Sequence, residues 1–128
     1  MNILGLGVDI VNINRIRSII KKNKRFKEKI FSKKEIFICN KKKESTSCFA
    51  KRFAAKEAFS KSLGTGIAKG LSFNEIEVKN DKSGKPNLNI TGKSLITVKK
   101  ILKRNNFNVF LTISDDKPFA IATVIISS

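Results

Sequence analysis

Glu57 and Lys61 set a carboxylate and an ammonium four residues apart in Phe53-Ala54-Ala55-Lys56-Glu57-Ala58-Phe59-Ser60-Lys61, a stretch that reads as one helix. Positions i and i+4 share a helix face, so the two groups point at the same patch of space. The helix is predicted to stop into Gly64-Thr65-Gly66, whose glycines allow close backbone approach to a ligand and positive φ. A carboxylate, a lysine and a Gly-rich loop together suit a metal-bound phosphate. The same residues also describe a surface ion pair followed by a glycine cap, a common and weak arrangement.

A second acid bears on that choice. Asp9 interrupts the apolar run Gly5-Leu6-Gly7-Val8-Asp9-Ile10-Val11, and a carboxylate buried without a partner is very costly. A metal ion shared with Glu57 is one partner, and a lysine is the other. Mg²⁺ takes one or two protein carboxylates and fills its remaining positions with water and phosphate oxygens. Two acids from distant parts of the chain fit that habit.

Histidine is absent, which removes Ser-His-Asp and Cys-His nucleophile systems, HExxH zinc sites and any imidazole base. Proton transfer then falls to carboxylate, lysine, water or metal-associated water. Neither a P-loop signature nor a full dinucleotide fingerprint is found. With 27 Lys and Arg against 10 Asp and Glu, the formal charge is +17, which raises the alternative of a non-catalytic nucleic-acid-binding module. Two features weigh against it. Lysine greatly outnumbers arginine beside abundant Asn and Ile, as AT-rich coding alone produces, and without Trp or Tyr only Phe is left as a stacking platform. Phe49 and Phe53 are expected in the core. A basic surface still favours acidic partners.

The elements that must hold these groups form one α/β (α+β) domain over residues 1–128, with an antiparallel sheet against a long helix. At 128 residues the chain suffices for one domain. Ile3 to Val11 reads as a strand and Ile13 to Lys22 as a basic amphipathic helix running toward Phe26 and Ile30. Ser32-Lys33-Lys34-Glu35 is a capping box opening another helix, which ends at Lys41 to Lys43. Ser45 or Thr46 is expected to cap the long helix. Glu75 to Val78 and Asn87 to Ile90 read as strands joined through Asp81-Lys82-Ser83-Gly84. Thr91 starts a helix to about Arg104, and Val109 to Ser114 with Phe119 to Ser127 are expected to pair around Asp115 to Pro118. The apolar end of the chain suggests a buried final strand. No basic leader and no membrane-length apolar run is seen, so a cytoplasmic protein is expected. Cys39 and Cys48, lacking CxxC spacing, are expected as reduced structural thiols.

Gly5 to Val11 with Asn14-Arg15-Ile16, and Arg52 to Lys61 followed by Gly64-Thr65-Gly66-Ile67, resemble the two motifs of the holo-(acyl carrier protein) synthases, a family of phosphopantetheinyl transferases. The likeness continues through Leu71 to Val78, Gly84-Lys85-Pro86 and Ala120 to Ile126, in the family's order. The resemblance implies transfer of 4′-phosphopantetheine from coenzyme A to a serine of apo acyl carrier protein, with release of adenosine 3′,5′-bisphosphate, in support of fatty acid biosynthesis. It implies Mg²⁺ on Asp9 and Glu57, and Lys61 at the coenzyme phosphates. Arg52, Gly64 and Pro86 fall to the coenzyme site, with Ser60 a further candidate. Arg52 reads otherwise as a surface charge and Pro86 as a residue pinning an edge strand. For the acidic carrier the resemblance points to Arg15, Lys22 and Arg25, with Phe26 as an apolar contact; these charges equally suit a solvated lysine-rich face. It also implies a homotrimer with sites between subunits. Relatives carry either histidine or aspartate at the position of Asp115, which here also reads as a turn residue, so the general base is left open.

Overall fold

Two glycines on one face of the first strand decide how the layers stack. In the computed structural model, which describes residues 1–64 and 70–128, β1 (Ile3–Asn12) runs against α4 (Ser45–Ser62). A Cβ at Gly5 would overlap the Ser62 carbonyl, and one at Gly7 the Ala58 carbonyl. Ala50, Ala54, Ala55 and Ala58 are buried along the same helix, so small residues on both sides let α4 lie directly on the sheet.

The other elements are α1 (Ile13–Lys22), α2 (Phe26–Ile30), α3 (Lys33–Asn40), β2 (Ile76–Asn80), β3 (Pro86–Ile90), α5 (Gly92–Leu102), β4 (Asn108–Asp116) and β5 (Phe119–Ser127). β5 is the central strand of an antiparallel sheet ordered β1-β5-β4, with Asp9 opposite Ala122 and Leu111 opposite Val124. β2 and β3 form a separate antiparallel pair. The architecture is α+β, as expected, and the final strand is the buried one. One sheet face and α4 enclose the core of Val11, Phe49, Phe59, Val124 and Ile126. Alternation along the strands leaves Leu6, Val8, Ile10, Phe110 and Ile121 exposed on the other face.

Several local expectations need correction. The first predicted helix breaks after Lys22, where the N–H of Asn23 donates to Ile19 O, and α2 follows as a separate turn. Ser45 and Thr46 do not cap α4: Glu44 occupies the N-cap position without a capping hydrogen bond, and its carboxylate pairs instead with Lys117. Thr91 stands at the N-cap of α5 but makes no side-chain cap bond; Glu75 Oε1 accepts from the Ser94 N–H at 3.1 Å and its hydroxyl at 2.8 Å. Glu75 itself closes a 3₁₀ turn, and the strand begins at Ile76. The Ser32–Glu35 capping box forms as predicted. Cys39 and Cys48 are joined as a disulfide, not held as free thiols. The connection through residues 41–44 folds α4 back beside α3 and brings the two Cα atoms to 5.4 Å, a separation that spacing along the chain does not reveal.

Candidate active site

Asp9 shares a strand face with Gly5 and Gly7, because alternate residues point the same way, and so it meets the C-terminal part of α4. Lys61 Nζ donates to Asp9 Oδ1 at 2.9 Å. The lysine's ion pair is therefore with Asp9, not with Glu57 as helix spacing alone suggested. Glu57 lies one turn earlier and is half-buried. Burial, and then the negative charge of Asp9, push the Glu57 carboxyl above its ordinary value, with Lys61 opposing. The hydrogen bond and charge of Asp9 hold the exposed Lys61 ammonium above its own.

Asp9 and Glu57 thus come together from two elements with a repulsion that a cation would relieve. Hard oxygen donors in this number suit Mg²⁺ when phosphate and water complete its shell. Among the described residues no cluster of three or more His, Cys, Asp or Glu is present, so a metal here would rest on these two carboxylates. Glu57 also borders a cleft of about 550 Å³ lined by Phe26, Phe53, Leu71 and Phe73.

Arg52 does not join that group. Five residues before Glu57 on the same helix, it is turned about 140° around the axis. It is not a surface charge either: the side chain is buried, Nη1 donates to Cys48 Sγ at 3.0 Å and Nη2 to Asn80 Oδ1 at 3.3 Å. Its Nε is buried without a hydrogen-bond partner among the described residues. Burial holds the guanidinium below its ordinary value, with Glu35 opposing. Pro86 opens β3 opposite Asn80, so Arg52, Asn80 and Pro86 form a second neighbourhood. Gly64 adopts φ +76° with open space where a Cβ would stand, so its conformation asks for glycine. Thr65, Gly66 and Ile67 lie outside the described residues. Ser60 is buried.

Of the residues that the resemblance assigns to an acidic partner, Arg15 and Lys22 are exposed seven residues apart on one face of α1. Arg25 is exposed just before α2, and Phe26 is half-buried with its ring 5.9 Å from Phe53 and 6.0 Å from Phe31. Phe26 therefore belongs to the cleft that Glu57 borders. Asp115 is exposed near the end of β4 and lines a different cleft, with Lys42, Lys43, Cys48 and Lys51.

Sequence reasoning missed the support beneath the site. Lys56, the neighbour of Glu57, is fully buried; its Nζ donates to Glu35 Oε1 at 2.7 Å, Phe73 O at 2.8 Å and Ile76 O at 2.6 Å. Glu35 also accepts from the N–H of Ser32 and of Val78. This pair ties α3, α4 and β2 together and fixes the rotation of α4 that presents Glu57. The available signal was a capping-box glutamate, which marks a helix start and says nothing of a buried charge.

The family profile described as the 4′-phosphopantetheinyl transferase superfamily matches residues 5–123. The chain is 48% identical over 126 residues to the holo-[acyl-carrier-protein] synthase of Pelagibacter ubique, covering 98% of each chain. It is 44% identical over 129 residues to that of Aliivibrio fischeri, covering 100% of each. It is similar to the crystal structure of a holo-(acyl-carrier-protein) synthase from Bacillus anthracis in complex with CoA (3′,5′-ADP), with a TM-score of 0.80, 40% identity, and coverage of 98% of this chain and 97% of that one.

Proposed function

The chain belongs to the 4′-phosphopantetheinyl transferase superfamily, and from that premise we propose that it transfers 4′-phosphopantetheine from coenzyme A to a serine of an apo acyl carrier protein, in support of fatty acid biosynthesis. The serine oxygen attacks the phosphorus attached to pantetheine, the bond to the second phosphate breaks, and adenosine 3′,5′-bisphosphate leaves. The observation that carries the reading is the meeting of Asp9, Glu57 and Lys61 beside the cleft bordered by Phe26 and Phe73.

Mg²⁺ on Asp9 and Glu57 would supply charge neutralisation at the pyrophosphate. Lys61, exposed and paired with Asp9, would add positive charge beside the same phosphates. With no histidine in the chain, the serine proton passes to water or to a carboxylate. Arg15, Lys22 and Arg25 attract an acidic carrier, and Phe26 places that surface next to the cleft. We assign the protein to the cytoplasm, where coenzyme A and carrier meet; among the described residues no helix is long and apolar enough to cross a membrane.

A homotrimer with sites between subunits suits two features. Leu6, Val8, Ile10, Phe110 and Ile121 form an exposed apolar face of the kind that marks an interaction surface, and Arg52 and Pro86 stand apart from Asp9 and Glu57. A ring of three gives closed, equivalent interfaces. Sedimentation should give three chains per particle, and a monomer at concentrations of full activity would refute this. The function is tested by incubating the protein with coenzyme A, Mg²⁺ and apo carrier and weighing the carrier by mass spectrometry. Phosphopantetheine on the serine is expected; its absence, together with tight and salt-sensitive RNA or DNA binding, would overturn the reading.

A further inference from the structure

Of the two bonded cysteines, Cys39 is fully buried and Cys48 nearly so, at 6% exposure, but Cys48 lines a cleft, which is the side from which a thiol approaches the bond. Cys48 lines an open cleft of about 470 Å³ shared with Lys42, Lys43 and Lys51, and with the acids Glu44 and Asp115. Glu44 is paired with Lys117. Behind Cys48 stands Arg52, whose Nη1 is 3.0 Å from the sulfur. Electropositive surroundings of this kind favour thiolate reactivity.

We propose that Cys39 and Cys48 form a reversible dithiol–disulfide site, reached through the lysine-lined cleft, whose state sets the partner of Arg52. In the forward step a small thiolate attacks Cys48 Sγ, the Cys39–Cys48 bond breaks, and Cys39 leaves as a thiolate. A second small thiolate attacks the mixed disulfide, giving the small-molecule disulfide and the Cys48 thiolate. Two electrons reach the protein from two thiols, and the reverse exchange with a low-molecular-weight disulfide restores the bond.

The consequence falls on Arg52. In the disulfide form its guanidinium faces a neutral, weakly accepting sulfur and an amide oxygen, with Nε unpartnered among the described residues. Glu35 offsets its charge in part. In the dithiol form the same Nη1 faces the freed Cys48 sulfur, whose thiolate would accept a charge-assisted bond and offset that charge further. Resting on the proposed function and on the coenzyme role that the family resemblance implies for Arg52, the disulfide form binds coenzyme A more tightly.

The test equilibrates the whole protein in glutathione buffers of graded reduced-to-oxidised ratio, traps thiols by alkylation, and reads intact mass beside steady-state kinetics. A transition of two alkylated thiols per chain is expected, with the coenzyme KM rising about fivefold on reduction, as for loss of one modest ionic contact, and kcat little changed. C39S, which retains the Cys48 thiol, should show the high KM under full reduction. C48A should show the low one. No alkylation transition in protein that stays folded would overturn the redox site. A clean transition with unchanged KM would overturn the link to Arg52, and Arg52→Ala locates that failure: if this variant also leaves the coenzyme KM unchanged, the coenzyme role of Arg52 is what fails.

Discussion

Replacing Lys56 with methionine removes an ammonium that makes three hydrogen bonds in the fully buried interior and leaves Glu35 in place. Burial holds that ammonium below its ordinary value, against the attraction of Glu35, so the group is there because its partners are. Removing one member of a buried pair costs about 3–5 kcal/mol. Glu35 keeps the N–H groups of Ser32 and Val78, which places its share near the low end. The carbonyls of Phe73 and Ile76 each lose a donor, adding on the order of 0.5–1 kcal/mol apiece. The expected loss is about 4 kcal/mol, a fall in Tm of roughly 12–20 °C for a chain of this length. Urea unfolding of Lys56→Met at matched protein concentration measures it, with Glu35→Gln/Lys56→Met as companion, which should recover about 1–2 kcal/mol by removing the stranded charge. A loss below about 1 kcal/mol, or a double variant no more stable than the sum of the singles, would refute the pair as the fastening of α4.

Asp9→Asn and Glu57→Gln should each nearly abolish Mg²⁺-dependent turnover with the fold intact, yet they should differ in stability when the metal is chelated. The Glu57 carboxyl is raised in the folded state, so its contribution is present at low pH and lost as pH rises through the folded value; Glu57→Gln should therefore raise Tm at neutral pH, with the gain vanishing in acid, whereas Asp9→Asn loses the Lys61 ion pair and should show no such gain. Arg15→Glu should raise the KM for carrier and change its salt dependence while leaving the coenzyme KM little altered, and Lys61→Ala should instead lower kcat/KM for coenzyme A; identical effects would contradict separate surfaces. Asp115→Asn should cost less than about 10²-fold in kcat, below the usual range for removal of a general base, because Asp115 lines a cleft other than the one bordered by Glu57.

What could be read in the sequence was what depends on local spacing. The period of the strands, the Ser32–Glu35 capping box and the hairpin around Asp115 to Pro118 are set by residues near one another in the chain, and the structure has them. Asp9 was marked by being an acid in an apolar run, and it needed a partner for a reason that holds in any fold. Which partner it takes is a tertiary matter. The sequence supplied lysine and metal as alternatives, and the approach of β1 to α4, permitted by Gly5 and Gly7, supplies Lys61. The Cys39–Cys48 bond and the buried Lys56 were illegible for the same reason, since each depends on how α3 and α4 lie together.

Arg52 shows how a motif can be read correctly as a unit and still mislead about space. It stands in the run Arg52 to Lys61 beside Glu57, and proximity in sequence suggests proximity in function. On a helix, however, five residues are well over a third of a turn out of phase, so a contiguous motif addresses two sides of α4 at once. Glu57 and Lys61 look toward Asp9 on the sheet, while Arg52 looks toward Asn80 and the β2–β3 pair. One coenzyme touching both sides of the same helix would have to pass around it. The proposed assembly removes that difficulty: if neighbouring subunits pack through the apolar face containing Val8 and Ile10, the Arg52–Pro86 side of one chain can complete the Asp9–Glu57 side of the next, and both halves of the motif then serve coenzyme sites without serving the same one.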